Sequence, residues 1–258
     1  MEKSDSSPRK YLKINLMNYA VGISHQFSNL FAIAAHCTIN DLCLIVPYVR
    51  LAKEHNNNKE IISNLSEYIK YDTLKIDGVQ LKYVFDETNI KKEDIIEINK
   101  KFTWDLVYKD IPFINRECHN VSFSYSDKII DIAKNILNII GEHTNIHVRR
   151  GDRITSEQIN IDTHPENILE VAKKCNMQSV YIMTNEQTEF FNKLKLQSEY
   201  KFYFYDDFEI LVNIKKEDNY MLFCIENEIA NHSTKRVSTF KTDFSKYCCY
   251  LTDAFGWQ

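Results

Sequence analysis

The chain has 258 residues, of which 44% are hydrophobic, and a formal net charge of −4 at pH 7. This length suits one large domain or two small ones, and the apolar content suffices for a sizeable core. Only five glycines and four prolines occur, which excludes collagen-like and glycine-rich low-complexity chains and leaves little material for a glycine-rich phosphate loop. The acidic balance excludes a typical nucleic-acid binder, which carries a basic surplus or stripe.

The seven cysteines form no C-x-x-C pair and have no histidine at zinc-finger spacing, so we expect no metal site built on them. Most lie in apolar runs, where a free cysteine packs as a small hydrophobic residue. We therefore expect reduced core thiols rather than a disulfide framework. No apolar run reaches 18 residues and Met1–Lys10 is polar, which predicts a cytoplasmic protein with no membrane partner.

The N-terminal half has the pattern of a parallel α/β fold. After a disordered tail at residues 1–10 and a strand at Tyr11–Leu16, the pattern predicts a turn with Gly22, a helix at Gln26–Cys37 and a strand at Leu42–Pro47. Further along, it predicts amphipathic helices at Lys59–Tyr71 and Lys91–Phe102 and a short strand at Leu81–Phe85. Residues 103–124 show no clear hydrophobic periodicity of either a helix or a strand.

Strands and helices alternate four times in the second half, which predicts a doubly wound parallel sheet. The predicted helices are Ser126–Ile140, Pro165–Cys175, Gln187–Leu196, Asn219–Ala230 and a last one at Asp243–Leu251. The predicted strands are Asn145–Val148, Ser179–Met183, Lys201–Tyr205 and Arg236–Val237. These elements divide the chain into halves at 11–125 and 126–258.

Polar side chains follow each predicted strand of the second half. In open parallel sheets, ligands bind beyond the carboxyl ends of the strands. The residues there are Arg149, Arg150, Gly151, Asp152, Thr184, Asn185, Glu186, Asp206, Asp207, Ser238, Thr239 and Phe240. They form either a site for a phosphorylated ligand or ordinary polar loops that cap the next helix.

Arg149 favours the first interpretation, because an unpaired guanidinium directly after a buried strand would be costly. Its fork of donors matches phosphate oxygens, and Asp152 could pair with one of the two arginines. His147 lies on the same side of the strand as Arg149 and is either a packed core residue or a catalytic group. The sequence contains no G-x-G-x-x-G, Walker, G-x-S-x-G, H-E-x-x-H or D-x-D motif.

The segment His147–Asp152 (HVRRGD) resembles the first peptide motif of the fucosyltransferases that make α-1,2, α-1,6 and protein O-linked fucose. Three further regions are similar to this superfamily, in the same order along the chain. They are Gly22–Gln26 with the following helix and Leu44–Pro47, Val180–Glu186 with Phe190-Phe191 and Tyr200–Asp207, and Asn219–Phe240.

The resemblance implies an α/β fold of GT-B type, with two facing Rossmann-like halves. The second half would bind GDP-fucose, and a trimmed first half would serve the acceptor. The implied reaction transfers fucose to a protein or glycan hydroxyl, with inversion and without a metal or other cofactor. Arg149 would contact the donor β-phosphate and stabilise the charge that develops on the leaving GDP.

The resemblance also implies donor-binding roles for particular residues. Ser238, Thr239 and Phe240 would lie by the diphosphate and the base. Glu226 or Glu228 would lie near the guanine or ribose, and Arg150 with Asp152 would support the loop after the strand. The predicted donor-binding set is Gly22, His147, Arg150, Asp152, Thr184, Asp206, Glu226, Glu228, Ser238, Thr239 and Phe240.

Two positions depart from the family pattern. His25 stands where relatives have Asn, and Lys241 stands where many have a second Ser. His25 could be the general base that deprotonates the acceptor hydroxyl, or it could mark a changed acceptor or a lost activity. The alternatives are therefore a catalytically silent module that binds a nucleotide or glycan, and a transferase that uses another nucleotide sugar.

Overall fold

The structure is a computed structural model that describes residues 10–98, 119–150 and 157–238, without the side chains of residues 17–19 and 158. These residues fall into two compact units, the first ending at Ser126 and the second beginning at Asp127. The predicted tail, apart from Lys10, and the predicted last helix lie outside the described residues. Among the helices of the described ranges, none is both long and apolar enough to cross a bilayer.

The first unit combines parallel strands with an antiparallel segment. Its described helix is α1 (Ile23–Ile39). Its strands are β1 (Tyr11–Ile14), β2 (Leu16–Val21), β3 (Cys43–Ile45), β4 (Val49–Leu51), β5 (Ile61–Ser63), β6 (Ile69–Ile76), β7 (Val79–Gln80), β8 (Tyr83–Val84), β9 (Ile95–Ile98) and β10 (Val121–Tyr125). A 3₁₀ turn at Lys53–His55 follows β4, and another at Lys92–Asp94 precedes β9.

The start of the first unit has the predicted parallel α/β arrangement. β1 pairs in parallel with β3 and β9, and β3 pairs with β8, which gives the sheet order β8-β3-β1-β9. β2 pairs in parallel with β4, whose other neighbour β5 is antiparallel. α1 is buried on most sides, and its Phe27, Leu30 and Phe31 are fully buried, as expected for a helix that contains no Asp, Glu, Lys or Arg.

Two helices predicted in the first unit are wrong. Lys59–Tyr71 contains β5 and the start of β6, and Leu65 between them has a φ of 64°, which a right-handed helix does not allow. The described part of Lys91–Phe102 is a 3₁₀ turn followed by β9. Strand pairing outweighs a weak helical period in both places, since β6 pairs with β10 and β7, and β9 pairs with β1. The strand predicted at Leu81–Phe85 is confirmed as β8.

The second unit is a parallel sheet with helices between its strands. The helices are α2 (Asp127–Ile140), α3 (Glu157–Asp162), α4 (Pro165–Cys175), α5 (Asn192–Lys195), α6 (Glu209–Glu217) and α7 (Asn219–Asn231). The strands are β11 (Thr144–Val148), β12 (Ser179–Thr184), β13 (Lys201–Tyr203) and β14 (Lys235–Ser238). The predicted alternation is confirmed, but α3 and α6 were not predicted. The helix predicted at Gln187–Leu196 is a 3₁₀ turn at Thr188–Phe191 followed by α5.

The two faces of this second sheet differ in character. Its four strands run parallel in the order β13-β12-β11-β14. One face contributes Ile146, Val148, Val180 and Ile182 to an apolar core that includes Ile168 of α4. By strand alternation, the opposite face carries the polar residues Asn145, His147, Tyr181 and Ser238. The hydroxyl of Tyr181 donates to Glu226 of α7 at 3.1 Å, so α7 covers this polar face.

The described cysteines behave as the sequence predicts. Cys37, Cys43, Cys175 and Cys224 are buried and free. Burial, with a smaller contribution from Cys43, raises the pKa of Cys37 to about 12. The thiol of Cys37 therefore stays protonated at neutral pH. The other three cysteines lie outside the described residues.

Candidate functional site

The carboxyl ends of β11, β12 and β14 meet at one edge of the second unit's sheet. In the register, Val148 is level with Thr184, and His147 is level with Ser238. The backbone N–H of Arg150 donates to Oδ1 of Asn185 at 3.0 Å, which joins the segments that follow β11 and β12. We call this part of the molecule, formed by Arg149, Arg150, Thr184, Asn185 and Ser238, the carboxyl edge.

His147 and Ser238 contact each other at the carboxyl edge. Nδ1 of His147 lies 3.3 Å from Oγ of Ser238. Burial lowers the pKa of His147 to about 4, and the positive charge of Arg149 adds to the shift. The imidazole is therefore neutral at pH 7, so one of its nitrogens is a hydrogen-bond donor and the other an acceptor.

Arg149 directly follows β11, an inner strand of the sheet, and is half-buried. Its charge is close enough to His147 to lower that residue's pKa. The structure thus places a guanidinium at the carboxyl end of an inner parallel strand. Four predicted site residues lie outside the described ranges, namely Gly151, Asp152, Thr239 and Phe240. The expected pairing of an arginine with Asp152 stays a prediction.

Arg150 is more enclosed than Arg149, since it is only 5% exposed, and its side chain is bonded within the protein. Its Nε donates to Glu186 at 3.2 Å, and its terminal nitrogens donate to Thr163 at 2.6 Å and Asn160 at 3.0 Å. Its guanidinium also stacks on the ring of Phe190, 4.0 Å from the centroid. The sequence pattern gave no role to Asn160 and Thr163, since both come from the unpredicted helix α3 and the residue after it.

Thr184 and Asp206 hold neighbouring segments together. The hydroxyl of Thr184 donates to the carbonyl of Val148 at 3.0 Å and accepts from the N–H of Glu186 at 3.1 Å. Asp206 accepts from the hydroxyl of Thr188 and forms an ion pair with Lys195 at 3.3 Å. Thr184 therefore belongs to the carboxyl edge. The Asp206 carboxylate instead connects the turn after β13 to the 3₁₀ turn at Thr188–Phe191 and to α5.

Glu226 and Glu228, both on α7, differ in depth. Glu226 is buried against Tyr181, and burial raises its pKa to about 8. Tyr181 lies three residues before Thr184, so this contact is about 10 Å along the strand from the carboxyl edge. Glu228 is closer to the surface and bonds to His232 at 3.2 Å and Asn231 at 3.3 Å. The structure does not bring Glu226 to the carboxyl edge, and the predicted contact of either glutamate with the donor stays a prediction.

His25 lies in the first unit, where the parallel strands β2 and β4 end at Val21 and Leu51. Gly22 has an extended conformation, with φ −62°, and its carbonyl accepts from the N–H groups of His25 and Gln26 at 3.0 and 3.2 Å. The side chain of Gln26 donates to the carbonyl of Arg50 at 3.0 Å. These bonds fix the start of α1 against β4, so His25 is held at the carboxyl end of this strand pair.

A second histidine, His55, accompanies His25 at this end. A Cβ placed on Gly22 would lie 3.8 Å from the His55 ring, an ordinary contact. Burial, with a smaller contribution from His55, lowers the pKa of His25 to about 4. His25 is therefore neutral at pH 7 and able to accept a proton or a hydrogen bond. The sequence pattern did not indicate His55, although its place just after β4 mirrors that of His25 after β2.

Solved structures of fucosyltransferases resemble the chain over nearly its whole length. POFUT1 in complex with GDP superposes with a TM-score of 0.62 at 13% identity, covering 97% of this chain and 96% of that one. POFUT1 in complex with GDP-fucose gives a TM-score of 0.61 at 11% identity, with the same coverage. The NodZ α-1,6-fucosyltransferase, soaked with GDP-fucose, gives 0.51 at 9% identity over 94% and 92%. The chain has the fold of these fucosyltransferases.

This fucosyltransferase fold confirms the predicted α/β architecture of GT-B type. No family model matches the chain, and no curated protein sequence matches it either. At identities of 13% or less, the similarity establishes the fold alone. Within the described ranges, no three His, Cys, Asp or Glu side chains cluster closely enough to hold a metal ion.

Proposed function

We propose that the chain is a glycosyltransferase that transfers fucose from GDP-fucose to a hydroxyl group of a protein or glycan, with inversion and without a metal. The observation that carries the proposal is Arg149 at the carboxyl end of an inner strand, in a fold whose solved examples hold GDP and GDP-fucose. Ligands of parallel sheets bind at this end, and a guanidinium there suits a diphosphate.

Arg149 supplies the electrostatic part of the proposed reaction. The acceptor oxygen forms a bond to C1 of fucose from one face while the bond from C1 to the β-phosphate oxygen breaks on the other. The electron pair of that broken bond stays on GDP, so negative charge grows on the β-phosphate. A fixed guanidinium stabilises this charge more in the transition state than in the ground state.

His25 receives the proton of the acceptor hydroxyl in this proposal. The imidazole is neutral at pH 7 because burial holds its pKa near 4, so its lone pair is available. An imidazole with so low a pKa is a weak base and does not remove the proton of a neutral acceptor hydroxyl readily. The proton therefore moves to His25 after the bond to C1 has largely formed and the oxygen has become acidic.

The same low basicity favours a second candidate function, a catalytically silent module that binds a nucleotide or glycan. Such a module would retain the carboxyl edge with Arg149 but would lack an effective base. A transferase with another nucleotide sugar is the enzymatic alternative, because the fold alone does not select the donor. These candidates differ in whether GDP binds and whether GDP-fucose is cleaved.

Incubation with GDP-fucose tests the proposal. We expect release of GDP and fucose by slow transfer to water, and a loss of about 10²–10³ in rate for Arg149→Ala. Arg236→Ala is the matched control, because Arg236 lies on β14 level with Asn145, away from the carboxyl edge. GDP binding without cleavage, across a range of acceptors, would establish the silent module instead. Cleavage of another GDP-sugar or UDP-sugar in preference would establish the other donor.

A further inference from the structure

Arg150 is a buried charged residue of the second unit, only 5% exposed. All three guanidinium nitrogens donate to protein atoms: Nε to Glu186 at 3.2 Å, and the two terminal nitrogens to Thr163 and Asn160 at 2.6 and 3.0 Å. Phe190 covers one face of the group, 4.0 Å from ring centroid to the central carbon. A buried guanidinium is tolerated only when it is paired in this way.

The polar partners of Arg150 come from two segments of the chain, α3 with the residue after it and the loop after β12. Asn160 belongs to α3 and Thr163 directly follows it, whereas Glu186 and Asn185 follow β12. Thr163 is itself fixed, because its hydroxyl also donates to the carbonyl of Ile159 at 2.6 Å. The guanidinium therefore joins α3 and the loop after β12 to the end of β11, the strand from which Arg149 projects.

This bonding separates Arg150 from the residues that face a ligand. Three of the five N–H donors of Arg150 are directed at Glu186, Asn160 and Thr163, and the residue is only 5% exposed, so little of its fork is open to a ligand. Arg149, one residue earlier, is half-buried at the carboxyl edge. The two arginines of the motif therefore have separate tasks.

We propose that Arg150 is a positioning residue that fixes the main chain at the end of β11 and thereby the placement of Arg149. Its effect on donor binding rests on the proposed function, whereas its joining of α3 to the loop after β12 does not. Lysine cannot replace it, because a single ammonium cannot donate to three separated acceptors in a plane.

Hydrogen exchange of the free protein tests the joining role without any ligand. In Arg150→Lys, we expect faster amide exchange in residues 157–163 and 184–187, with the amides of α2 and α7 unchanged. Arg149→Lys, which removes the neighbouring guanidinium, should leave both segments as in the wild type. Uniformly faster exchange, or no change in these two segments, would overturn the proposal. If Arg150→Lys fails to fold, Glu186→Ala and Asn160→Ala each remove one bond to the guanidinium and should speed amide exchange in their own segment.

A double-mutant cycle on GDP affinity tests whether Arg150 acts through Arg149. Arg150→Lys alone should weaken GDP binding about tenfold, because a displaced Arg149 would lose about one charge-assisted hydrogen bond to the diphosphate. In an Arg149→Ala background the same change should have almost no further effect, because neighbours that act through one contact are not additive. Additive losses would show that Arg150 binds the phosphates itself and would overturn the proposal. Absence of GDP binding by the wild type would refute the proposed function, while the exchange experiment would still decide the joining role.

Discussion

At the scale of single residues, burial decides what the charged groups near the second sheet can do. Arg149 keeps part of its surface at the carboxyl edge, beside a histidine that burial holds neutral. Arg150 is enclosed and bonded to Glu186, Asn160 and Thr163. Both arginines follow β11, yet only Arg150 is directed at the acceptors of α3 and of the loop after β12. The order of letters in the motif does not reveal which arginine is enclosed.

Glu226 makes the second unit less stable at high pH. Burial raises its pKa in the folded protein to about 8 from the usual 4.5, so the unfolded chain loses this proton first. The free energy of unfolding is therefore unaffected below about pH 4.5 and falls by on the order of 5 kcal/mol as the pH rises through 8. Glu226→Gln keeps an acceptor for Tyr181 and should be the more stable protein at pH 9.

Chemical denaturation at pH 5 and pH 9 measures this effect. The wild type should lose stability between the two values, and Glu226→Gln should lose much less. Glu228→Gln is the matched control on the same helix, and it should behave like the wild type because Glu228 is closer to the surface. Equal losses in the wild type and Glu226→Gln would show that the buried carboxyl does not stay protonated.

At the scale of elements, buried strands were predictable and paired surface strands were not. The inner strands β11 and β12 are largely buried, and all four strands of the second unit lie where the sequence pattern predicts them. In the first unit, β5, β6 and β9 are half-exposed and carry polar residues at spacings that also fit a helix. Asp77-Gly78, with φ values of 50° and 80°, forms the turn between β6 and β7. This dipeptide is a hairpin signal that could have corrected the prediction.

His25, at the start of α1, makes the free energy of unfolding fall at low pH, whereas Glu226 makes it fall at high pH. The pKa of His25 is about 4 in the folded protein and 6.5 in the ordinary case. The unfolded chain therefore takes up a proton first, and stability that is fully present above pH 6.5 falls by up to about 3 kcal/mol as the pH drops through 4. His25→Asn should remove this loss.

Denaturation at pH 7 and pH 4.5 checks the role of His25. His147 has a pKa shifted in the same direction, so His25→Asn should retain part of the acid sensitivity, and a variant that also carries His147→Asn should retain the least. An undiminished loss in both variants would mean that neither imidazole is buried in its neutral form.

At the scale of the whole molecule, each unit buries its own apolar side chains, and the core of the second includes a stacked pair of phenylalanine rings. Phe191 is fully buried and stacks on Phe204 with centroids 5.6 Å apart. Phe191→Ala should lower the free energy of unfolding of this unit by about 3–5 kcal/mol. Leu196→Ala, nearby but 82% exposed, should leave it unchanged. Thermal unfolding measures both, and equal stabilities would contradict this packing.

The sequence predicts the whole-molecule architecture better than the details of the candidate site. Alternating strands and helices and four ordered motifs lead to the fucosyltransferase fold, and the carboxyl edge follows from where strands end. The bonds of Arg150 could not be predicted, because Asn160 and Thr163 lie in a short helix without a clear period and meet Arg150 only in the folded chain. The depth of Glu226 likewise depends on how α7 lies over β12.

A crystal structure of the protein with GDP tests the central claim most directly. The account predicts GDP at the carboxyl edge of the second unit, with a β-phosphate oxygen about 2.7–3.1 Å from the guanidinium of Arg149. It also predicts that Arg150 keeps its bonds to Glu186, Asn160 and Thr163. GDP bound elsewhere on the protein, or a diphosphate held by Arg150 instead of Arg149, would contradict the account.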